Sequence, residues 1–215
     1  MTAAAGRRPG VVYAVADVEL LGARAVAPTV AEIAAAGVET IQLRAKRLSD
    51  RQLQETAALC LRALEGWSGE LWIDDRVDLA RLLPFAGVHL GQADLPPGVA
   101  RPLLPAGTAI GLSTHDESQL AAGEADRAVD WLALGPIFET ASKGDPDPVV
   151  GLDELRRLRA ATAKPLIAIG GIDEHRLPRV LEAGADSVAV LSAVCVGDVG
   201  ANCRRLLAAA GRVGT

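Results

Sequence analysis

Residues 131–151 read WLALGPIFETASKGDPDPVVG. Trp131 to Leu134 form an apolar run of the length of a short buried strand. The run breaks at Gly135-Pro136 and opens into a loop carrying Thr140, Ser142 and Lys143, then Gly144, Pro146, Pro148 and Gly151. Hydroxyls, backbone N–H groups and a lysine are what a phosphate or pyrophosphate needs. The same residues also suit an ordinary surface turn. What the rest of the chain places around the loop decides between these uses.

Strand-like runs recur at 11–16, 38–43, 71–73, 86–91, 109–112, 165–169 and 187–191. Between them lie helical stretches. One opens at Pro28 and stops at Gly37, and one begins at Ser49 with Gln52 in capping-box spacing. Others cover 77–83, 117–122, 153–161, 174–183 and 199–210. Pro96, Pro97, Pro102 and Pro105 keep one connection short and poorly helical. Ala36-Gly37-Val38, Ala86-Gly87-Val88 and Ala183-Gly184-Ala185 repeat where a helix or turn gives way to a strand. The strands are apolar throughout, as when both faces of a parallel sheet are covered. Eight such units predict an α/β fold, a single (β/α)8 TIM barrel with parallel strands over residues 1–215, residues 1–10 being a flexible tail. The rival, a doubly wound sheet, usually has fewer strands. Its dinucleotide-binding version needs a G-x-G-x-x-G that is missing after the first strand.

The net charge of −5 argues against a general nucleic-acid surface, which should be basic. Cys60, Cys195 and Cys203 are odd in number and form no C-x-x-C pair, so free buried thiols in a reducing compartment are expected. His89, His115 and His175 show no metal spacing. Arg7-Arg8 and the short apolar run after them do not make a signal segment, and no span reaches membrane length. A cytoplasmic protein with small-molecule partners, no nucleic acid and no membrane is the expectation. A homodimer is compatible with the sequence.

In such a barrel the C-terminal strand ends share one face, and the active site lies there. Polar residues fall at nearly all of them: Gln42, Arg44 and Lys46; Asp74, Asp75 and Arg76; Gln92 and Asp94; Ser113, Thr114 and His115; Thr140, Ser142 and Lys143. Asp75 and Asp94 follow neighbouring strands, and carboxylates converging there suit Mg²⁺, which keeps waters and is often completed by phosphate. The other use of each is a helix N-cap or an ion pair with Arg76. Arg44, Lys46 and Lys143 are cations for a polyanion, or rim residues snorkelling to water. Gly170-Gly171 and Leu191-Ser192 stand where barrels commonly hold a phosphate on backbone N–H groups. The mouth is thus suited to two phosphorylated groups.

From Tyr13 to about Ala193 the chain resembles the thiamine phosphate synthase family. The resemblance rests on QLRAK (42–46), DDRVDLA (74–80), GVHLGQADLP (87–96), GLSTH (111–115), GPIFETASK (135–143), VVGL (149–152), AIGGI (168–172) and AGADSVAVLSA (183–193). It implies a Mg²⁺-dependent transferase that joins 4-amino-2-methyl-5-hydroxymethylpyrimidine diphosphate to 4-methyl-5-(2-hydroxyethyl)thiazole phosphate, giving thiamine phosphate and pyrophosphate. By the same resemblance Gln42, Arg44, Lys46, Asp74 and Ser113 hold the pyrimidine diphosphate, and Asp75 and Asp94 hold Mg²⁺. Thr140, Ala141 and Ser142, with Gly171, Leu191 and Ser192, sit by the thiazole phosphate, and Lys143 reaches the diphosphate. Arg44, Lys46, Ser113 and Lys143 would be the catalytic set. Pyrophosphate departs to leave a pyrimidine-stabilised cation, which the thiazole nitrogen captures. No protein nucleophile is needed, in keeping with the missing Ser-His-Asp or Cys-His arrangement.

The chain departs from that family at position 74, usually asparagine, at position 45, often acidic, and before Thr140, where Glu139 replaces a proline or small residue. An ionised Asp74 needs a cation, Arg76 or Lys46, or a place in the metal shell. The related thiazole tautomerases share F-E-T but tend to carry a histidine where this chain has Pro136. A non-catalytic phosphate-binding barrel would keep Gly170-Gly171 but could lose the carboxylates.

Overall fold

The computed structural model describes residues 8–22, 26–140 and 147–211. Its strands are β1 (Val12–Asp17), β2 (Thr40–Arg44), β3 (Glu70–Asp74), β4 (Gly87–Leu90), β5 (Ala109–Thr114), β6 (Trp131–Leu134), β7 (Leu166–Ile169) and β8 (Ser187–Val190). All are parallel, each pairs with its neighbour in sequence, and β8 pairs with β1 to close the barrel. The helices are α1 (Val18–Leu21), α2 (Val26–Ala35), α3 (Asp50–Ala63), α4 (Val77–Leu82), α5 (Pro97–Ala100), α6 (Glu117–Ala125), α7 (Gly151–Arg159), α8 (Leu177–Glu182), α9 (Ser192–Cys195) and α10 (Val199–Ala210). The expected single (β/α)8 barrel is the observed one.

The details follow local chemistry. Ser49 and Gln52 form the full capping box at the start of α3. Asp17, Asp116 and Asp198 cap α1, α6 and α10 through their side chains. α8 begins at Leu177, not at residue 174. The Asp173 carboxylate accepts the N–H groups of His175 and Arg176 in a preceding turn, and Pro178 takes a first-turn position. Pro97 and Pro102 likewise open α5 and a 3₁₀ turn at Arg101–Leu103, so that connection is more helical than its prolines suggest. β2 starts at Thr40, leaving buried Val38 in the turn before it. Pro9 and Gly10, expected within the tail, are buried. The Gly10 N–H donates to Thr40 Oγ1 at 2.8 Å, and its carbonyl accepts from Ser187 Oγ at 2.7 Å.

Two cores result. The larger lies between strands and helices, where Leu43, Ile73, Leu90 and Leu134 meet the helices' apolar faces. The smaller fills the barrel. Trp72 and Trp131 stack there at 4.1 Å between centroids, and Tyr13 meets both edge-on at 6.2 and 6.3 Å. Gly87 makes room: a Cβ there would lie 2.6 Å from the Trp72 ring. This aromatic layer closes the N-terminal half of the barrel and gives the other half a floor. The three cysteines are buried, and among the described residues none forms a disulfide. Among the described residues no helix is long and apolar enough to cross a membrane.

Candidate active site

A cavity of about 520 Å³ opens at the C-terminal ends of the strands. Its lining changes with depth. At the bottom lie Tyr13, Ala133, Ile167 and Ala189; above them come Gln42, His89 and Ser113; Arg44, Lys46, Asp74, Asp75 and Asp94 form the rim. Strand periodicity creates this grading, because residues two apart share a face, so Gln42 and Arg44 rise in step along β2. The Gln42 amide donates to the Tyr13 hydroxyl at 3.0 Å. Burial pushes the Tyr13 phenol well above its ordinary pKa and keeps it neutral, against the favourable Gln42 contact. His89 Nε2 lies 2.9 Å from Ser113 Oγ, and the Gln92 amide donates to the Ser113 carbonyl at 2.6 Å. A Cβ on Gly111 would lie 2.5 Å from His89 Nδ1, so that glycine makes space for the imidazole.

The β2–β4 side of the rim is a charge network. Consecutive strand residues normally face opposite ways, yet Asp74 and Asp75 both line the cavity. Asp75 has φ +61°, left-handed, alone among the described non-glycine residues. An aspartate tolerates that region at a cost of roughly 1–2 kcal/mol. The kink is fixed by Asp75 N–H donating to the His89 carbonyl at 2.8 Å. Lys46 Nζ binds the Asp75 carboxylate and lies 3.1 Å from Asp74. Arg44 Nη1 binds Asp17, and Arg44 Nε lies 3.5 Å from Asp74. Asp94 accepts from the Gly91 N–H at 2.7 Å. Arg76 pairs instead with Asp50 and Asp78, at 2.8 and 2.6 Å, so it is the counter-ion of neither Asp74 nor Asp75.

Burial and the neighbouring Asp74 charge raise the Asp75 pKa to about 6, with Lys46 pulling the other way. Burial raises Asp74 as well, opposed by Lys46 and Arg44. Burial works against the Lys46 ammonium, but Asp74 and Asp75 outweigh it and hold its pKa above the ordinary value. Among the described residues no three His, Cys, Asp or Glu side chains form a ready-made cation cage. The donor set nonetheless fits Mg²⁺, which needs few protein ligands and takes water and phosphate oxygens for the rest. Mutual repulsion of Asp74, Asp75 and Asp94 is what a divalent cation relieves, and Lys46 already puts one positive charge between two of them.

The β6–β8 side is built of backbone. Gly170 and Gly171 have φ +102° and +64°. A Cβ on Gly171 would meet the Glu139 carbonyl at 2.5 Å, and one on Gly170 would meet Pro136 Cβ at 2.5 Å. Both glycines therefore let the turn after β7 press against the segment after β6, where the Phe138 N–H donates to the Gly170 carbonyl at 3.1 Å. Arg176 stacks on Phe138 at 4.9 Å and donates to the Gly171 carbonyl at 2.6 Å. Thr140, Gly171, Leu191 and Ser192 line the cavity here. Ala141, Ser142 and Lys143 lie outside the described residues.

Sequence reading did not single out Tyr13, Asp17 or His89 as site residues. Tyr13 and His89 sit within strand runs that read as core, and only the parity of the strands points them into the cavity; Asp17 closes the first run and reaches the site only through Arg44. His115, noted at its strand end, lines the cavity, with Nδ1 2.6 Å from the Gly135 carbonyl and 3.5 Å from Asp147.

The family model for thiamine monophosphate synthase matches residues 12–194. A thiamine-phosphate synthase of Koribacter versatilis is 45% identical over 189 residues, 86% of this chain and 88% of that protein. One of Methanoculleus marisnigri is 44% identical over 197 residues, 90% of this chain and 92% of that protein. The solved thiamine phosphate pyrophosphorylase of Pyrococcus furiosus superposes with a TM-score of 0.84 at 29% identity, covering 95% of this chain and 98% of that one.

Proposed function

The chain belongs to the thiamine monophosphate synthase family and makes thiamine phosphate as a transferase; from that premise we propose how its cavity holds the two substrates and drives their condensation. The substrates are the pyrimidine diphosphate and the thiazole phosphate named above, and pyrophosphate is the second product. The observation that carries the reading is the grading of the cavity from apolar floor through neutral polar layer to charged rim. A molecule with a neutral heteroaromatic ring at one end and a diphosphate at the other matches that sequence of layers.

The pyrimidine lies over the floor against Gln42, with Ser113 oriented by His89. Its diphosphate reaches Arg44, Lys46 and Lys143. Asp75 and Asp94 would hold Mg²⁺, which would supply charge neutralisation to the diphosphate. Asp74 is a counter-ion of Lys46, 3.1 Å away, and faces Arg44 Nε at 3.5 Å. The bond from the ring methylene to the diphosphate oxygen breaks, and its electron pair leaves with pyrophosphate. The three cations stabilise the charge that grows there. Ile167, Ile169 and Ala189 wall the cavity with apolar groups, which shields the pyrimidine cation from water. The thiazole phosphate is held by Thr140, Ala141, Ser142, Gly171, Leu191 and Ser192. With its ring nitrogen in line, that lone pair forms the new C–N bond.

The test is incubation of both substrates with Mg²⁺, following thiamine phosphate and pyrophosphate together. Equal yields of the two support the reading. Release of pyrophosphate without thiamine phosphate, or no reaction, overturns it.

A further inference from the structure

One buried acid beside the site has no part in the scheme above. Asp17 ends β1 and is only 2% exposed. It is not among the residues lining the cavity, so it does not reach a ligand there. Its carboxylate is fixed from two directions. One oxygen accepts the Leu20 N–H at 2.9 Å and caps α1; the other binds Arg44 Nη1. The pairing is set by the sheet itself, because Asp17 and Arg44 are register partners across β1 and β2. On the far side of the guanidinium, Arg44 Nε faces Asp74 from β3. Arg44 is thus gripped between carboxylates on the two strands that flank its own. Among the described residues Nη2 has no protein acceptor, while Arg44 lines the cavity.

We infer that Asp17 is a positioning residue: acting through Arg44, it holds one guanidinium edge toward the cavity so that the diphosphate meets an oriented donor. A long arginine at a rim otherwise loses rotamer freedom when it binds an anion, and a fork already held loses less. Simple electrostatics gives the opposite sign. Removing a carboxylate from beside the guanidinium leaves more net positive charge and should tighten an anion. The sign of the effect therefore separates positioning from plain charge.

The inference rests on the reading that Arg44 binds the diphosphate. The test titrates inorganic pyrophosphate with Mg²⁺ into the wild type, Asp17→Asn, Arg44→Gln and the double variant. Asp17→Asn keeps the volume and the cap acceptor but not the charge. The expected result is roughly tenfold weaker pyrophosphate binding in Asp17→Asn, a larger loss in Arg44→Gln, and no further loss in the double variant, since contacts sharing one partner are non-additive. In turnover, the KM for the pyrimidine diphosphate should rise while that for the thiazole phosphate stays. A purely structural role would lower the melting temperature without that split. Equal or tighter pyrophosphate binding by Asp17→Asn, or additive losses, overturns the inference. Wild-type binding by Arg44→Gln overturns the underlying reading as well. Should Asp17→Asn fail to fold, Asp17→Glu keeps charge and acceptor but displaces the carboxylate by one methylene; weaker binding supports the inference, and unchanged binding overturns it.

Discussion

The two sides of the cavity are built by different means. On the β2–β4 side the groups are ionised side chains in contact with one another: Arg44 between Asp17 and Asp74, and Lys46 across Asp74 and Asp75. On the β6–β8 side they are glycines in positive-φ turns and the start of α9. The difference follows the chemistry proposed for each. A departing pyrophosphate gains charge as the bond breaks, so groups whose attraction grows in the transition state lower the barrier. The thiazole phosphate keeps its charge throughout and needs only to be placed, for which rigid backbone is sufficient.

The largest effects are expected for the groups proposed to meet the metal and the diphosphate. Asp75→Asn and Asp94→Asn should each lower kcat/KM on the order of 10³-fold at limiting Mg²⁺, several kcal/mol of charge stabilisation, with partial rescue by excess metal. Wild-type turnover at limiting Mg²⁺ in either variant would remove that residue from the ligand set. Lys143→Ala should cost on the order of 2–4 kcal/mol of transition-state stabilisation and lower kcat more than it raises the KM for the thiazole phosphate. A pure KM effect on the thiazole substrate would assign Lys143 to the thiazole phosphate instead.

Smaller effects sharpen the contrast. Gly171→Ala puts a Cβ against the Glu139 carbonyl in a left-handed conformation, so a stability loss of about 1–3 kcal/mol is expected by thermal unfolding. Asp74→Asn should change least. At 3.5 Å from Arg44 Nε, Asp74 holds the guanidinium far less closely than Asp17 does and mainly neutralises Lys46, so exchanging it for a donor should improve affinity for the pyrimidine diphosphate a few-fold at every Mg²⁺ concentration. A higher Mg²⁺ requirement would instead place Asp74 in the metal shell, and no change would remove position 74 from the diphosphate site.

The barrel was legible because each buried run ends in glycine, proline or polar residues, and because the strands are apolar on both faces. The rim was legible for a related reason: an Arg44 or Asp75 directly after an apolar run has nowhere to go but the strand's end. The floor was not legible. Tyr13 within VVYAVAD and His89 within GVHL read as strand core, and their roles appear only when the barrel closes and alternate positions of each strand turn inward. Asp17 reads as the end of an apolar run until the register sets it beside Arg44. Arg76, adjacent to Asp75 in sequence, looked like its partner; α4 turns it toward Asp78 and the start of α3. The single turns α1 and α9 are too short for any periodicity to reveal.

The measurement that bears most directly on the two-sided cavity is a bisubstrate initial-rate matrix for Arg44→Gln and Gly171→Ala. The expected pattern crosses: Arg44→Gln raises the KM for the pyrimidine diphosphate alone, and Gly171→Ala raises that for the thiazole phosphate alone. Variants that each raise both constants equally would contradict the division of the rim into a diphosphate side and a phosphate side.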